Sequence, residues 1–356
     1  MRPRSDLCWE CQKNNSAVFH SANLTDVQKA ARVEKQVEHL RVVNLERDCY
    51  REMVKNSKDI IGDAKLGNNA PCTRDFAMHY SFDFAQQVHI PSNPEQPGPI
   101  YFLCPRKVGL FGIACEAVPS QVNYIIDEGM SISKGSNAVI SYMHDFFDNF
   151  GLGESSVHLH CDNCSGQNKN RFMMWYLSWR TLHRLHTDIT INFLVVGHTK
   201  FAPDWGFGLI KKRFRRCMCS SLQDVANVIS SSTTSGMNIP RSVGTEGGET
   251  LVPVFDWQAF LGPYFRPLAG IKAMHHMRFS SDHPGVAFIK QFADSAETPV
   301  NILLDPTLRP PRELPSPLPP PGLSEQRMKY LYTTIREFCT EDTRNIVCPP
   351  PQTELA

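Results

Sequence analysis

The stretch that decides the fold is VHLHCDNCSGQNKN at 157–170, followed by a bulky apolar run, ITINFLVV at 189–196 and GHTKFAPDWGFGLIKKRFRR at 197–216. Val157, Leu159 and Cys161 alternate with His158, His160 and Asp162. That alternation predicts a short strand delivering Asp162 and Asn163 at its end. Gly166 predicts a turn, and 167–186, carrying Phe172, Tyr176, Trp179 and Leu182, predicts a helix. The segment 189–196 is apolar on both faces, as suits a central strand covered on both sides. His198, Thr199 and Asp204 follow, then Lys211, Lys212, Arg213, Arg215 and Arg216 packed around Phe214. A carboxylate at a strand end, a second past the next strand and a nearby set of cations together suit metal-assisted phosphodiester chemistry.

Working upstream, 79–84 (HYSFDF) places Tyr80, Phe82 and Phe84 on one strand face and His79, Ser81 and Asp83 on the other. A proline-rich loop at 91–99 leads to apolar strands at 100–103, 108–118 and 122–126, and 137–150 reads as an amphipathic helix. The segment 1–70 holds Cys8-x-x-Cys11 and a long charged helix with Val27, Val33, Val37, Leu40 and Val43 as its apolar stripe. Downstream, 230–250 is rich in Ser, Thr and Gly and reads as a flexible loop. A small α+β module is expected within 231–305, with one or two strands near Met277 and at 286–292. Residues 306–321 read as a polyproline spacer, and 324–339 as a terminal helix inside a 306–356 tail. The core of the chain is then 71–230, an α/β unit.

Composition narrows the class. Of 356 residues, 41% are hydrophobic and 21% charged, as in ordinary globular proteins. A net charge of +1 gives no global field for nucleic acid, so any such binding rests on local patches. No apolar run approaches the roughly 18 residues of a spanning helix, so no membrane partner is expected. The opening MRPRSDLCWECQK has no apolar signal region, and twelve cysteines then read as free thiols and metal ligands in a reducing compartment, nuclear or cytoplasmic.

Asp83, Asp162 and Asp204 are the candidate ligands of Mg²⁺ or Mn²⁺, since hard cations take carboxylate oxygens and two such ions stabilise both oxygens of an in-line displacement. Bland readings stand beside these. Asp83 marks the wet face of an antiparallel strand, and Asp204, after Pro203, caps a helix. Asp224 and Asp256 compete as third acid. His198 assists metal or phosphate binding, or bonds backbone at a strand end. Lys200, Lys211, Lys212, Arg213, Arg215 and Arg216, with Asn163 and Asn168, are the candidate phosphate contacts of a DNA partner. The basic run reads equally as a nuclear localisation patch or a solvated helix face, and the asparagines as turn and cap residues. Cys8 and Cys11 form half of a Zn²⁺ site whose other ligands are either distant in the chain, with Cys339 and Cys348 as candidates, or on a longer native N-terminus. Cys161 reads as core, as do Trp175, Tyr176 and Trp179.

DNCSGQNKNR at 162–171 together with GHTKFAPDWGFGLIKKRFRR resembles a eukaryotic transposon-derived family whose domain of unknown function looks like an RNase H-fold transposase core. The resemblance runs from DLCWECQKN through HYSFDFAQQ and QPGPIYFLCPRK to HHMRF. It implies an RNase H-like mixed sheet with flanking helices, in which Asp83, Asp162 and a third acid hold two divalent metals for DNA strand transfer or phosphodiester hydrolysis. The alternative it leaves is a domesticated, catalytically inactive module that binds nucleic acid or protein.

Overall fold

Alternation at 78–82 sets the middle of the molecule: Met78, Tyr80 and Phe82 are fully buried against one layer of helices, while His79 and Ser81 are buried on the opposite face. The computed structural model describes residues 8–95, 98–132 and 134–351. Two helices, α1 (Trp9–Phe19) and α2 (Asp26–Ile60), precede β1 (Asn69–Phe84) and the short β2 (Val88–Ile90). A hairpin of β3 (Arg106–Cys115) and β4 (Ser120–Asp127) leads to α3 (Ser136–Asn149). Then come β5 (Leu152–Cys161), α4 (Arg171–Leu182), β6 (Asp188–Phe193), α5 (Ala202–Phe214) and α6 (Leu222–Ser230). The rest supplies β7 (Asn238–Ser242), β8 (Val254–Phe255), α7 (Trp257–Leu261), β9 (His276–Ser280), β10 (Val286–Lys290), β11 (Thr298–Asn301), β12 (Pro317–Leu318) and α8 (Glu325–Tyr330).

One ten-stranded mixed sheet runs β11-β10-β9-β6-β5-β1-β3-β4-β7, with β2 paired to β3. At its centre β1 is parallel to β5 and β5 to β6, whereas β1–β3 and β3–β4 are antiparallel. The β5-α4-β6 passage is the crossover that parallel neighbours require. Residues 276–301, expected as part of a separate module, continue this sheet, because β9 pairs antiparallel with β6. The loop expected at 230–250 contains β7, a parallel edge strand on β4 whose Asn238 meets Asn123. The proline-rich segment lies against α4, accepting hydrogen bonds from Trp179 Nε1 at Pro311 and from His183 at Pro310.

The two faces differ in chemistry. Inward side chains of β1, β3, β5, β6 and β9 pack on α3, α4 and α7 in the main apolar core. Across the sheet, the C-terminal half of α2 covers a polar layer. Tyr50 packs edge-on against His79 and His160, whose ring nitrogens are 2.9 Å apart, and His276 sits 2.7 Å from Glu46. The face of β1 expected to be wet is therefore roofed by a helix. Beside α2, α5 and α6 close over β3 and β4 with an apolar core of their own. Among the described residues no helix is long and apolar enough to cross a membrane.

Candidate active site

The register of two parallel strands builds the site. β1 and β5 pair Met78 with Val157 and Ser81 with His160, an offset of 79 residues (160 − 81). Carried forward two residues, the same offset sets Asp83 beside Asp162 (162 − 83 = 79), and the period of two keeps both on the face of His79 and His160. Asp83 is the penultimate residue of β1, and Asp162 follows the last residue of β5. Both acids thus stand at the C-terminal edge of a central parallel pair.

α5 brings the third. Gly112 of β3 and Gly206 of α5 leave room for this helix: a Cβ on Gly112 would lie 2.8 Å from the Phe207 ring, and one on Gly206 would lie 2.2 Å from the Gln121 amide oxygen. Pro203 in the first turn suits the start of a helix. Asp204 reaches back to accept the Phe201 N–H at 3.1 Å. The first-turn capping role is thus real, and it uses only one carboxylate oxygen.

Electrostatics tie the three together. Burial, then the charge of Asp162, with a smaller push from Asp204, drive the Asp83 carboxyl up to about 7, against the Phe84 N–H that it accepts at 2.7 Å. Asp162 is held by the Cys164 N–H at 3.0 Å and by Asn168 Nδ2 at 2.7 Å, both on Oδ1. In each acid the other oxygen has no hydrogen bond among the described residues. An acid whose ionisation is disfavoured by burial and by two neighbouring carboxylates marks a place that a cation would relieve. Asn168 Oδ1 is buried without a partner beside Asp162, which also fits a cation or its water.

Other expected residues fall in different places. Asn168 is buried and positions Asp162; Asn163 spends its amide on Leu194 O and accepts Lys169 Nζ at 2.9 Å. Neither is presented as a phosphate contact. His198 turns its Nε2 to Cys11, 3.4 Å from the sulfur. Asp224 caps α6 by accepting the Ser220 N–H, and Asp256 caps α7. Lys212, Arg213, Arg215 and Arg216 are exposed at the end of α5, while Lys211 lies near Gln86 and lines an open cleft of 610 Å³ with Arg215. Lys200 lines a second cleft of 570 Å³ with Arg47, Arg51, Lys58 and the exposed Trp205. Cys339 and Cys348 lie 3.7 Å apart in the α5–α6 core, so they are not the partners of Cys8 and Cys11.

Sequence reasoning passed over Lys169. It is buried behind Asp162 over the Phe193 ring, and desolvation lowers its ammonium to about 8. The signal was its place inside QNKN, between Asn168, which holds Asp162, and Asn170, which caps α4.

These features define an α/β protein with a broad mixed sheet, two acids side by side at the end of a parallel strand pair and a third on the helix beside them. Residues 108–296 match the family described as a domain of unknown function, DUF7869, and since that span is more than half of the chain, the protein belongs to this family. No curated protein and no solved structure matches it. The matched span contains Asp162 and Asp204, and begins after Asp83.

Proposed function

We propose that the chain is a transposon-derived, RNase H-like protein that cuts or transfers DNA strands with divalent metal held by Asp83, Asp162 and Asp204. One observation carries the reading: a parallel strand register sets Asp83 against Asp162, and the first turn of α5 adds Asp204 close enough to act on the Asp83 carboxyl. The chain order supports the RNase H-like part, running from a strand with an acid through a hairpin and a helix to a second strand with an acid. Mg²⁺ or Mn²⁺ bound there would stabilise charge on the attacking and leaving oxygens of a phosphodiester. The protein's own contribution is positional. Cys164 N–H and Asn168 fix Asp162, the Phe201 N–H fixes Asp204, and Asp83, pushed up to about 7, gives up its proton more readily when a cation is present to offset the charge. Exposed cations at the end of α5 would hold the DNA backbone, an address compatible with a nuclear protein.

Incubating the full chain with plasmid and single-stranded DNA in Mg²⁺ or Mn²⁺ tests this. Cleavage is expected, and Asp83→Asn, Asp162→Asn and Asp204→Asn should each lower it by about 100-fold or more while the fold persists. Asn at 204 can still accept the Phe201 N–H, so a merely capping role predicts normal activity there. Undiminished cleavage in the three variants sinks the proposal. A folded wild type that binds DNA without cutting it replaces the proposal with the inactive binding module.

A further inference from the structure

Cys8 and Cys11, left without partners by the sequence, are met by two histidines from distant parts of the chain. Cys8 caps α1 and its sulfur accepts the Cys11 N–H, while Cys11 lies one turn into the helix. His39 projects from the middle of α2 with Nε2 3.4 Å from Cys8 Sγ. His198 follows β6 with Nε2 3.4 Å from Cys11 Sγ. The four donor atoms all lie within 4.8 Å of one another.

We propose that Cys8, Cys11, His39 and His198 are the four ligands of a structural zinc ion. With Zn–S near 2.3 Å and Zn–N near 2.05 Å, a tetrahedral ion would separate a sulfur and a nitrogen ligand by about 3.5 Å. Two of the four sulfur–nitrogen pairs are found at 3.4 Å, and the rest lie within 4.8 Å. Two independent thiol–imidazole hydrogen bonds would account for each pair alone. They give no reason for both pairs to share one point, or for the imidazole rings of His39 and His198 to lie 5.4 Å apart between centroids, tilted by 52°. Two thiolates with two imidazoles suit zinc over the hard cations expected at the carboxylates, and four protein ligands leave no open position for catalysis. Gln36 offers its side-chain amide to Cys11 Sγ at 3.7 Å, an outer-shell donor to a thiolate.

The surrounding backbone is shaped for this contact. Gly197, at φ +79°, comes so near Cys8 that an added Cβ would lie 2.5 Å from the Cys8 Cα. Arg47, one helical face along α2 from His39, donates to the carbonyls of His198 and Lys200. The ion would therefore brace three segments: the start of α1, the middle of α2, and the loop between β6 and α5. Asp204 lies six residues past His198 (204 − 198), so the brace holds the loop that delivers it. The zinc site stands whether or not the carboxylates cleave DNA.

Metal analysis of the full-length chain purified from zinc-supplemented cells should find one zinc per chain. Cys11→Ser and His39→Ala should each lose it, while Cys339→Ser and the double variant Asp83→Asn/Asp162→Asn should keep it. The double variant separates this site from the carboxylates, because its loss of cleavage leaves zinc content untouched. X-ray absorption on the wild type guards against variants that fail to fold: two sulfur and two nitrogen ligands are expected in the first shell. Chelating the zinc should raise hydrogen exchange in α1 and at 194–201 while the central strands keep their protection. A wild type without zinc, a first shell lacking sulfur, or unchanged zinc in both ligand variants overturns the site.

Discussion

Asp83 sits where its own charge is unwelcome. Its carboxyl titrates at about 7 in the fold against an ordinary 3.8, chiefly through burial and then through the charge of Asp162. Between those values the folded chain keeps a proton that the unfolded chain has released, so this residue lowers stability as pH rises through that window. Asp83→Asn removes the conflict while retaining an oxygen for the Phe84 N–H. The variant should be more stable than wild type by roughly 2–4 kcal/mol at pH of about 8, with the difference gone near pH 4. Urea unfolding at both pH values measures this, and equal stability at the higher one would refute it. Added Mg²⁺ should stabilise the wild type at the higher pH and leave the variant unmoved, since only the wild type has repulsion for the ion to relieve. Lys169 makes the same point from the opposite sign: desolvation lowers its ammonium to about 8 beside the same loop. Asp83 and Asp162 were legible from strand alternation, which also led to the expectation that they lie on adjacent strands with carboxylates facing one pocket. The register that sets them side by side was not legible, because the 79-residue spacing becomes a register only once β1 and β5 are known to be parallel neighbours.

At the scale of the element, α5 joins two jobs along one axis. Its first turn holds Asp204, and its last turn and exit carry Lys211, Lys212, Arg213, Arg215 and Arg216, beginning roughly 10 Å further along at 1.5 Å per residue. Cations at a helix C-terminus are favoured by the helix dipole alone, so their presence is compatible with a simple solvated end. Geometry favours more: Lys212, Arg215 and Arg216 are exposed and form no ion pair among the described residues. Replacing these three by Gln should weaken DNA binding for all sequences alike and reduce the slope of log affinity against log salt by about 2–3. Titrations at several salt concentrations decide it, and an unchanged slope would return the patch to a solvated helix face. Both features of α5 were visible in sequence, the acid after a proline and the basic run after Gly-Phe-Gly. The reason the helix sits where it does was not. It depends on Gly112 and Gly206 meeting across Gln121, residues from three elements.

Across the whole molecule, what could be read was what is local. β1, the β3–β4 hairpin, α3, β5, α4 and β6 each announce themselves through their own periodicity. β7 and β9–β11 are only four or five residues long, and β7 and β9 are held by partners far away in the chain, β4 and β6. His39 gave no signal inside a charged helix, since nothing local distinguishes a ligand from a surface histidine. The roof that α2 lays over the polar strand face was equally hidden, and it makes a demand on pH. Burial drives His79 down to about 3, and His160 beside it well below the usual imidazole value. On the far side of the sheet, burial does the same to His144, to about 3, and to His186, to about 4, with the Arg180 charge adding to both. The groups facing them are Tyr50 and Lys58 for the first pair, and Tyr176, Asp148, Arg180 and Glu154 for the second. All four rings stay neutral in the fold and would charge on unfolding, so below about pH 6.5 the unfolded chain binds more protons. Their stabilising contribution is complete above that pH and is lost as pH falls. Asp83 works the other way between about 4 and 7 with one proton, leaving a net uptake of about three from these five groups, to which His158 and His275, also pushed down by burial, add. At about 1.4 kcal/mol per proton per pH unit, stability should fall by roughly 4 kcal/mol per unit once the histidines begin to charge. A domain with about 5–15 kcal/mol to lose would then unfold in acid, with its midpoint between about pH 5.3 and 2.8. Circular dichroism during acid titration gives the midpoint, and the pH dependence of urea stability gives the proton count. Replacing His79 and His160 together by Gln should flatten that dependence by about two protons. A wild type whose stability is level from pH 6.5 down to about 4 would show that the buried imidazoles do not govern acid unfolding.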